Sequence, residues 1–133
     1  MTHPENIQRF EVIPPSEENG YCIFQAALEN DPLVLFHLTL KRNFDSILTK
    51  GFLSAHELGI GTLESVSYAN KSSSCFANKG NELTEDVVVF VVTFDALNKP
   101  EIIINGSDIL VYKKEIQPSI RGYCELQKGY RLG

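Results

Sequence analysis

Leu33-Val34-Leu35-Phe36-His37 and, six residues on, Asn43-Phe44-Asp45-Ser46-Ile47-Leu48-Thr49-Lys50-Gly51 decide how the rest of the chain is read. Four apolar residues in succession predict a short buried strand, with His37 at its end. Asn43 is a good N-cap, and Phe44, Ile47 and Leu48 fall on one helical face. Gly51 suits the position just past the last helical residue. The stretch therefore predicts a strand, a loop and a two-turn helix.

Downstream, Asp86-Val87-Val88-Val89-Phe90-Val91-Val92-Thr93-Phe94 is the strongest strand signal. Its apolar run does not alternate, so both faces should be covered and the strand should be central. Asn98-Lys99-Pro100 reads as a turn. Further strands are expected at residues 102–104, 109–112 and 120–126, separated by Asn105-Gly106 and by Pro118. A short helix is expected around residues 72–77, and residues 54–65 read as a loop with small helical pieces. Upstream, Pro4, Pro14, Pro15 and Gly20 make residues 1–20 an arm, with a short strand at 10–13. Residues 21–30 read as a short helix ended by Asn30-Asp31-Pro32. A strand–helix opening followed by a nearly all-β second half predicts an α+β fold, with residues 21–133 as one domain.

The 133 residues suit one domain, which buries roughly two-thirds of its unfolded surface. Apolar residues make up 43% and charged residues 22%, an ordinary globular balance that argues against disorder. The net charge of −5 lowers the expectation of a nucleic-acid substrate. Lys41, Arg42, Lys50, Lys71 and Lys79 are the residues from which a local basic patch could be built. Cys22, Cys75 and Cys124 form no C-x-x-C pair, so a zinc site has no support and no metal is expected. Each reads as a small buried hydrophobe with a reduced thiol. With no apolar run of 18 residues and no secretory pattern at the N-terminus, a cytoplasmic protein without membrane contact is expected.

Taken singly, the chemistry-bearing residues have bland readings. His37 at a strand end reads as structural, Asp108 as a turn acid, and Ser72-Ser73-Ser74 as a solvated loop. Their order changes that. Phe36-His37-Leu38-Thr39, Asn43-Phe44, Ile47-Leu48 and Gly51-Phe52-Leu53 make a first block. Ser67-Tyr68-Ala69 makes a second, Lys71-Ser72-Ser73-Ser74-Cys75-Phe76 a third, and Ser107-Asp108-Ile109-Leu110-Val111-Tyr112 a fourth. Together, over residues 33–126, they resemble the poly(ADP-ribose) polymerase-like, diphtheria-toxin-like branch of the ADP-ribosyltransferase superfamily.

The resemblance implies split antiparallel sheets and NAD as co-substrate. It implies a His-Tyr-Glu triad that falls on His37, Tyr68 and Asp108. His37 would hydrogen-bond the adenosine ribose, and Leu38 would offer its backbone to the nicotinamide amide, with Thr39 completing that binding segment. Tyr68 would stack on the nicotinamide ring and Phe76 would close the other side. Ser73 would bind the carboxamide oxygen. Two aromatic faces suit a flat cationic ring, and a fixed carboxylate suits the oxocarbenium-like ribose left as nicotinamide departs.

Two departures stand out: Leu38 replaces a glycine, and Asp108 replaces the glutamate. About 1 Å of misplacement can cost on the order of 10²-fold in rate. The expected function is mono-ADP-ribosylation of a protein or nucleobase acceptor, with room for an antitoxin or immunity partner. The alternatives are a weak or inactive module that binds NAD, ADP-ribose or a protein, and an RNA 2′-phosphotransferase.

Overall fold

The computed structural model describes residues 7–77, 79–80 and 82–131. Seven strands form one mixed sheet: β1 (Gln8–Arg9), β2 (Val34–Leu40), β3 (Val66–Ala69), β4 (Val87–Thr93), β5 (Ile102–Asn105), β6 (Asp108–Val111) and β7 (Ser119–Leu126). Their order is β1-β7-β4-β2-β3-β6-β5. Three short helices, α1 (Ala26–Glu29), α2 (Phe44–Lys50) and α3 (Ala55–Leu58), complete an α+β architecture. No described helix is long and apolar enough to cross a membrane.

The unbroken apolar run of β4 is explained by its position. Val88, Phe90 and Val92 enter one core with Leu35, Leu48, Phe52 and Tyr68. Val87, Val89 and Val91 enter a second core with Ile23, Phe24, Phe36 and Phe76. A strand buried on both faces has no polar face to alternate with. Helix α2 covers the first core, its Phe44 ring stacking on Phe90 at 5.5 Å and 9°. Gly51 ends α2 at a φ of 85°, which glycine adopts without a Cβ penalty.

β2 runs to Leu40, so His37 sits in mid-strand and not at the strand's end. Seven register pairs with β4, from Val34↔Thr93 to Leu40↔Val87, hold it extended past the apolar run. On its other side β2 meets β3 only at Phe36↔Ala69. The predicted split is therefore a narrowing: one continuous sheet, with β1 parallel to β7, joined at a single register pair. A four-strand wing (β1-β7-β4-β2) and a three-strand wing (β3-β6-β5) part from that point.

The expected helix over residues 21–30 is reduced to α1, with Gln25 as its cap. The expected strand at 10–13 is displaced to β1, after which Phe10 N–H bonds Tyr123 O at 2.8 Å. Part of the predicted arm is thus seated on the sheet edge. Gly122 permits this, because a Cβ there would lie 2.2 Å from the Gln8 carbonyl oxygen and 2.6 Å from the Phe10 ring. Gly122→Ala should destabilise the fold by about 1–3 kcal/mol through that overlap. Denaturant unfolding checks this, and an unchanged midpoint would mean that residues 8–10 do not pack on β7.

Candidate functional site

His37 shares a face of β2 with Leu35, and its register partner Phe90 lies on the same side. The imidazole fills the gap where β2 and β3 part. Its Nδ1 lies 2.8 Å from Ser67 O. A carbonyl oxygen only accepts, so Nδ1 carries the hydrogen and Nε2 is left as an acceptor. The ring packs against Phe52 at 5.0 Å and Tyr68 at 5.5 Å. Burial among these rings holds its pKa below the usual 6.5, with the Ser67 bond working in the opposite direction.

Two cavities flank His37. The first, a groove of about 370 Å³ at the parting of the wings, is walled by Leu38, Ser67, Ser74, Cys75, Lys79 and Asp108. The second, about 190 Å³, is walled by Thr39, Asn43, Ser46, Gly51, Phe52 and Leu53. His37 lines both.

Asp108 opens β6 and is exposed, in register with Ala69. The Gly106-Ser107 hairpin delivers it, with Gly106 at a φ of 62°. Cys75 faces the same groove. Burial pushes its thiol up to about 12; the charges of Glu29, Cys124 and Asp108 add to this, and the Leu38 backbone N–H opposes it. Cys75 is therefore a neutral thiol near pH 7 and a poor nucleophile. The Leu38 backbone expected to meet a carboxamide lies on the groove side, directed at the Cys75 sulfur.

Four expected roles do not match the placements. Tyr68 is 2% exposed, and its ring packs on Phe52 and Phe94 at 5.5 and 5.2 Å. Its ring belongs to the first core, and Tyr68 lines the groove only from that buried position. Side chains alternate along a strand, so Tyr68 points inward with its partner Ile109, and exposed Ser67 faces out. Burial also raises the Tyr68 phenol pKa.

Phe76 is 8% exposed and anchors the second core. Ser73 points away from the groove: its Oγ accepts from the Cys22 thiol at 3.7 Å, and it lines a separate cavity of about 510 Å³. Ser74 faces the groove instead, because neighbours on the 3₁₀ turn Ser72–Phe76 point about 120° apart. Thr39 lies in the second cavity, where its hydroxyl accepts from Asn43 Nδ2 at 3.0 Å. The sequence's basic patch is broken up by ion pairs: Lys41 with Glu125 at 3.4 Å and Arg42 with Glu85 at 3.8 Å.

Glu29 supports the groove from behind and carries no sequence signal of doing so. It is 5% exposed. Its carboxylate accepts from Ser72 N–H at 2.9 Å, Phe24 N–H at 3.3 Å and the Ser72 hydroxyl. Ser72 Oγ in turn accepts from Ile23 N–H at 2.9 Å. Lys71 donates to the Glu29 carbonyl and to Asn30 Oδ1. These bonds fix the turn that presents Ser74 and Cys75. Among the described residues no group of three or more His, Cys, Asp or Glu converges as a metal site.

Two outcomes follow from these placements. Tyr68→Ala should cost about 3–5 kcal/mol of stability, as truncation of a core aromatic does; a fully stable variant would remove the ring from the core. For His37, a folded pKa below 6.5 means the unfolded chain takes up the proton more readily. Its contribution to stability is complete above that value and is lost as pH falls toward the folded pKa. Between about pH 7.5 and 5.5 the wild type should lose unfolding free energy more steeply than His37→Gln. Equal slopes would contradict a buried neutral imidazole.

Comparison with protein-family models, curated proteins and solved structures returns no match for this chain.

Proposed function

We propose that the chain is an NAD-dependent mono-ADP-ribosyltransferase of the ADP-ribosyltransferase fold, breaking the nicotinamide–ribose bond and passing ADP-ribose to a protein or nucleobase. One observation carries the reading. Residues far apart in sequence (Leu38, Ser67, Ser74 and Asp108) line one groove where the sheet opens, and His37 separates that groove from a second cavity. A dinucleotide has two ends and needs two adjoining spaces.

In this reading the nicotinamide end lies in the groove and the adenosine end in the cavity of Thr39 and Asn43. His37 Nε2, unprotonated, accepts from a ribose hydroxyl. The Leu38 N–H turns from the Cys75 sulfur to the carboxamide oxygen, and Ser74 replaces Ser73 as the nearby hydroxyl donor. Asp108 stands at the rim as the one carboxylate of the groove's lining. Nicotinamide leaves with the glycosidic electron pair and becomes neutral. Positive charge then builds on the ribose, and a carboxylate held nearby stabilises it. The acceptor's nucleophile adds to the ribose carbon and gives up its proton.

A second reading, a module that binds NAD or ADP-ribose without turnover, is favoured by the rings of Tyr68 and Phe76. Tyr68 lines the groove from the first core and Phe76 is buried in the second, so the two rings do not face each other as the walls of one slot for a cationic ring. A phosphorylated RNA end, the third alternative, would call for free cations, and Lys41 and Arg42 are each ion-paired.

Asp108 discriminates between the first two. Asp108→Asn should lower nicotinamide release by about 10²-fold or more while NAD still binds by calorimetry. Asp108→Glu reads the reach of the carboxylate: a faster variant means the native acid stands short, and a slower one means the backbone has moved to meet the ribose. If wild type and Asp108→Glu both bind NAD and neither releases nicotinamide with any acceptor, the binding module replaces the enzyme.

A further inference from the structure

The loop between β6 and β7, residues 112–118, reaches back to the turn that ends α2. There Gln117 treats Phe52 as a neighbouring strand would. Its Oε1 accepts from Phe52 N–H at 2.9 Å, and its Nε2 donates to Phe52 O at 2.9 Å. The same Nε2 donates to Lys114 O at 2.7 Å, which fixes the amide to its own loop. Gly51 makes room for it, since a Cβ at that residue would lie 2.9 Å from Gln117 Oε1. Residues 51–54 belong to no strand, so no ladder supplies these bonds. A part-buried N–H and C=O left without partners would cost more than the bonds contribute.

The segment so held has a position that matters. Gly51, Phe52 and Leu53 wall the smaller cavity opposite Thr39 and Asn43, and the Phe52 ring sets the edge of His37 at 5.0 Å. Gln117 also lies on the chain that continues from β6, whose first residue is Asp108. One side-chain amide thus joins the strand of the acid to the wall of the cavity on the far side of the histidine.

We propose that Gln117 is a positioning residue for nucleotide binding: its two-point clamp on Phe52 sets the wall of the cavity that takes the adenosine end. The proposal rests on the reading that NAD spans groove and cavity. Its action is through Phe52, with no contact of its own to the reacting atoms.

The test uses the full chain, wild type, Gln117→Leu and Gln117→Glu, with ADP-ribose and NAD as probes in calorimetry and amide hydrogen exchange read at Phe52. Loss of the clamp should speed Phe52 exchange in Gln117→Leu and weaken ADP-ribose binding about tenfold. Gln117→Glu keeps an acceptor for Phe52 N–H but, ionised, faces Phe52 O with no donor. Its affinity, as a ratio to wild type at each pH, should be low at neutral pH. It should recover as the pH falls through about 4–5, where a protonated carboxyl can donate again. The folded fraction of each variant is read by circular dichroism at the same pH values: for a residue that merely supports the fold the recovery would track refolding, whereas a positioning role gives it in a chain already folded, so Gln117→Glu also carries the test if Gln117→Leu does not fold. If wild type binds ADP-ribose and the variants bind it equally well, the positioning role is overturned and the NAD reading stands. Weakened binding with unchanged Phe52 exchange also overturns the role, because the loss then does not pass through the clamped wall. If wild type binds neither probe, the NAD reading fails and takes this role with it.

Discussion

β2 is held by seven register pairs on one side and by one on the other, and most of what distinguishes this molecule follows from that asymmetry. A strand in mid-sheet normally spends its N–H and C=O groups on both neighbours. Past Phe36 the β3 side of β2 is open, and those groups must find other partners. The His37 ring bridges to the Ser67 carbonyl, and the Leu38 N–H meets the Cys75 sulfur. The parting of the strands also makes the groove, so the groove and the unusual partners have one cause.

The walls of the opening are held by polar side chains acting on backbone. Glu29 gathers the N–H and hydroxyl of Ser72 at the turn Ser72–Phe76 together with the Phe24 N–H, and Gln117 takes both backbone groups of Phe52. In both cases a segment that pairs with no strand is tied by a side chain distant in sequence, at separations of 43 and 65 residues. Buried groups of this kind are stabilising only when fully satisfied, and no described buried side-chain nitrogen or oxygen lacks a partner. Electrostatics inside the groove favour neutral forms at His37 and Cys75, with Lys79 and Asp108 as the exposed charged residues of its lining.

Much of the scaffold was legible in the sequence because it is local. The run from Val87 to Val92 implied burial on two faces, and Phe44 to Gly51 carried face and stop; Asn43 precedes the helix but makes no capping bond, its amide donating to Thr39 instead. The far end of β2 was not legible: Leu38-Thr39-Leu40 follow the apolar run and are extended by the β4 ladder, a non-local cause. Of the expected site residues, His37, Leu38, Tyr68 and Asp108 come together along one groove, while Thr39, Ser73 and Phe76 face elsewhere. Val66-Ser67-Tyr68-Ala69 is too short to declare its parity, and a one-residue change of parity would exchange the exposed Ser67 side chain for the buried Tyr68 ring. Three consecutive serines pose the same problem on a 3₁₀ turn, where Ser72, Ser73 and Ser74 face a buried carboxylate, a separate cavity and the groove. Glu29 and Gln117 had no motif at all, since their partners are backbone atoms of remote segments.

The strand register between the two wings is the single pair Phe36 and Ala69, and the histidine and the acid belong to different wings. The molecule is built like a pair of jaws hung on one rivet, with the loop bearing Gln117 as a strap across the back. The distance between His37 and Asp108 is therefore not a property of either strand. It is the gape of the jaws, set by everything that fixes the angle between two wings over one core: the packing of Ile109 and Val111 into that core, the ring of Phe52, and the strap itself. Side chains that never approach the groove govern its width, so its shape is set through the scaffold while the residues that line it stay as they are.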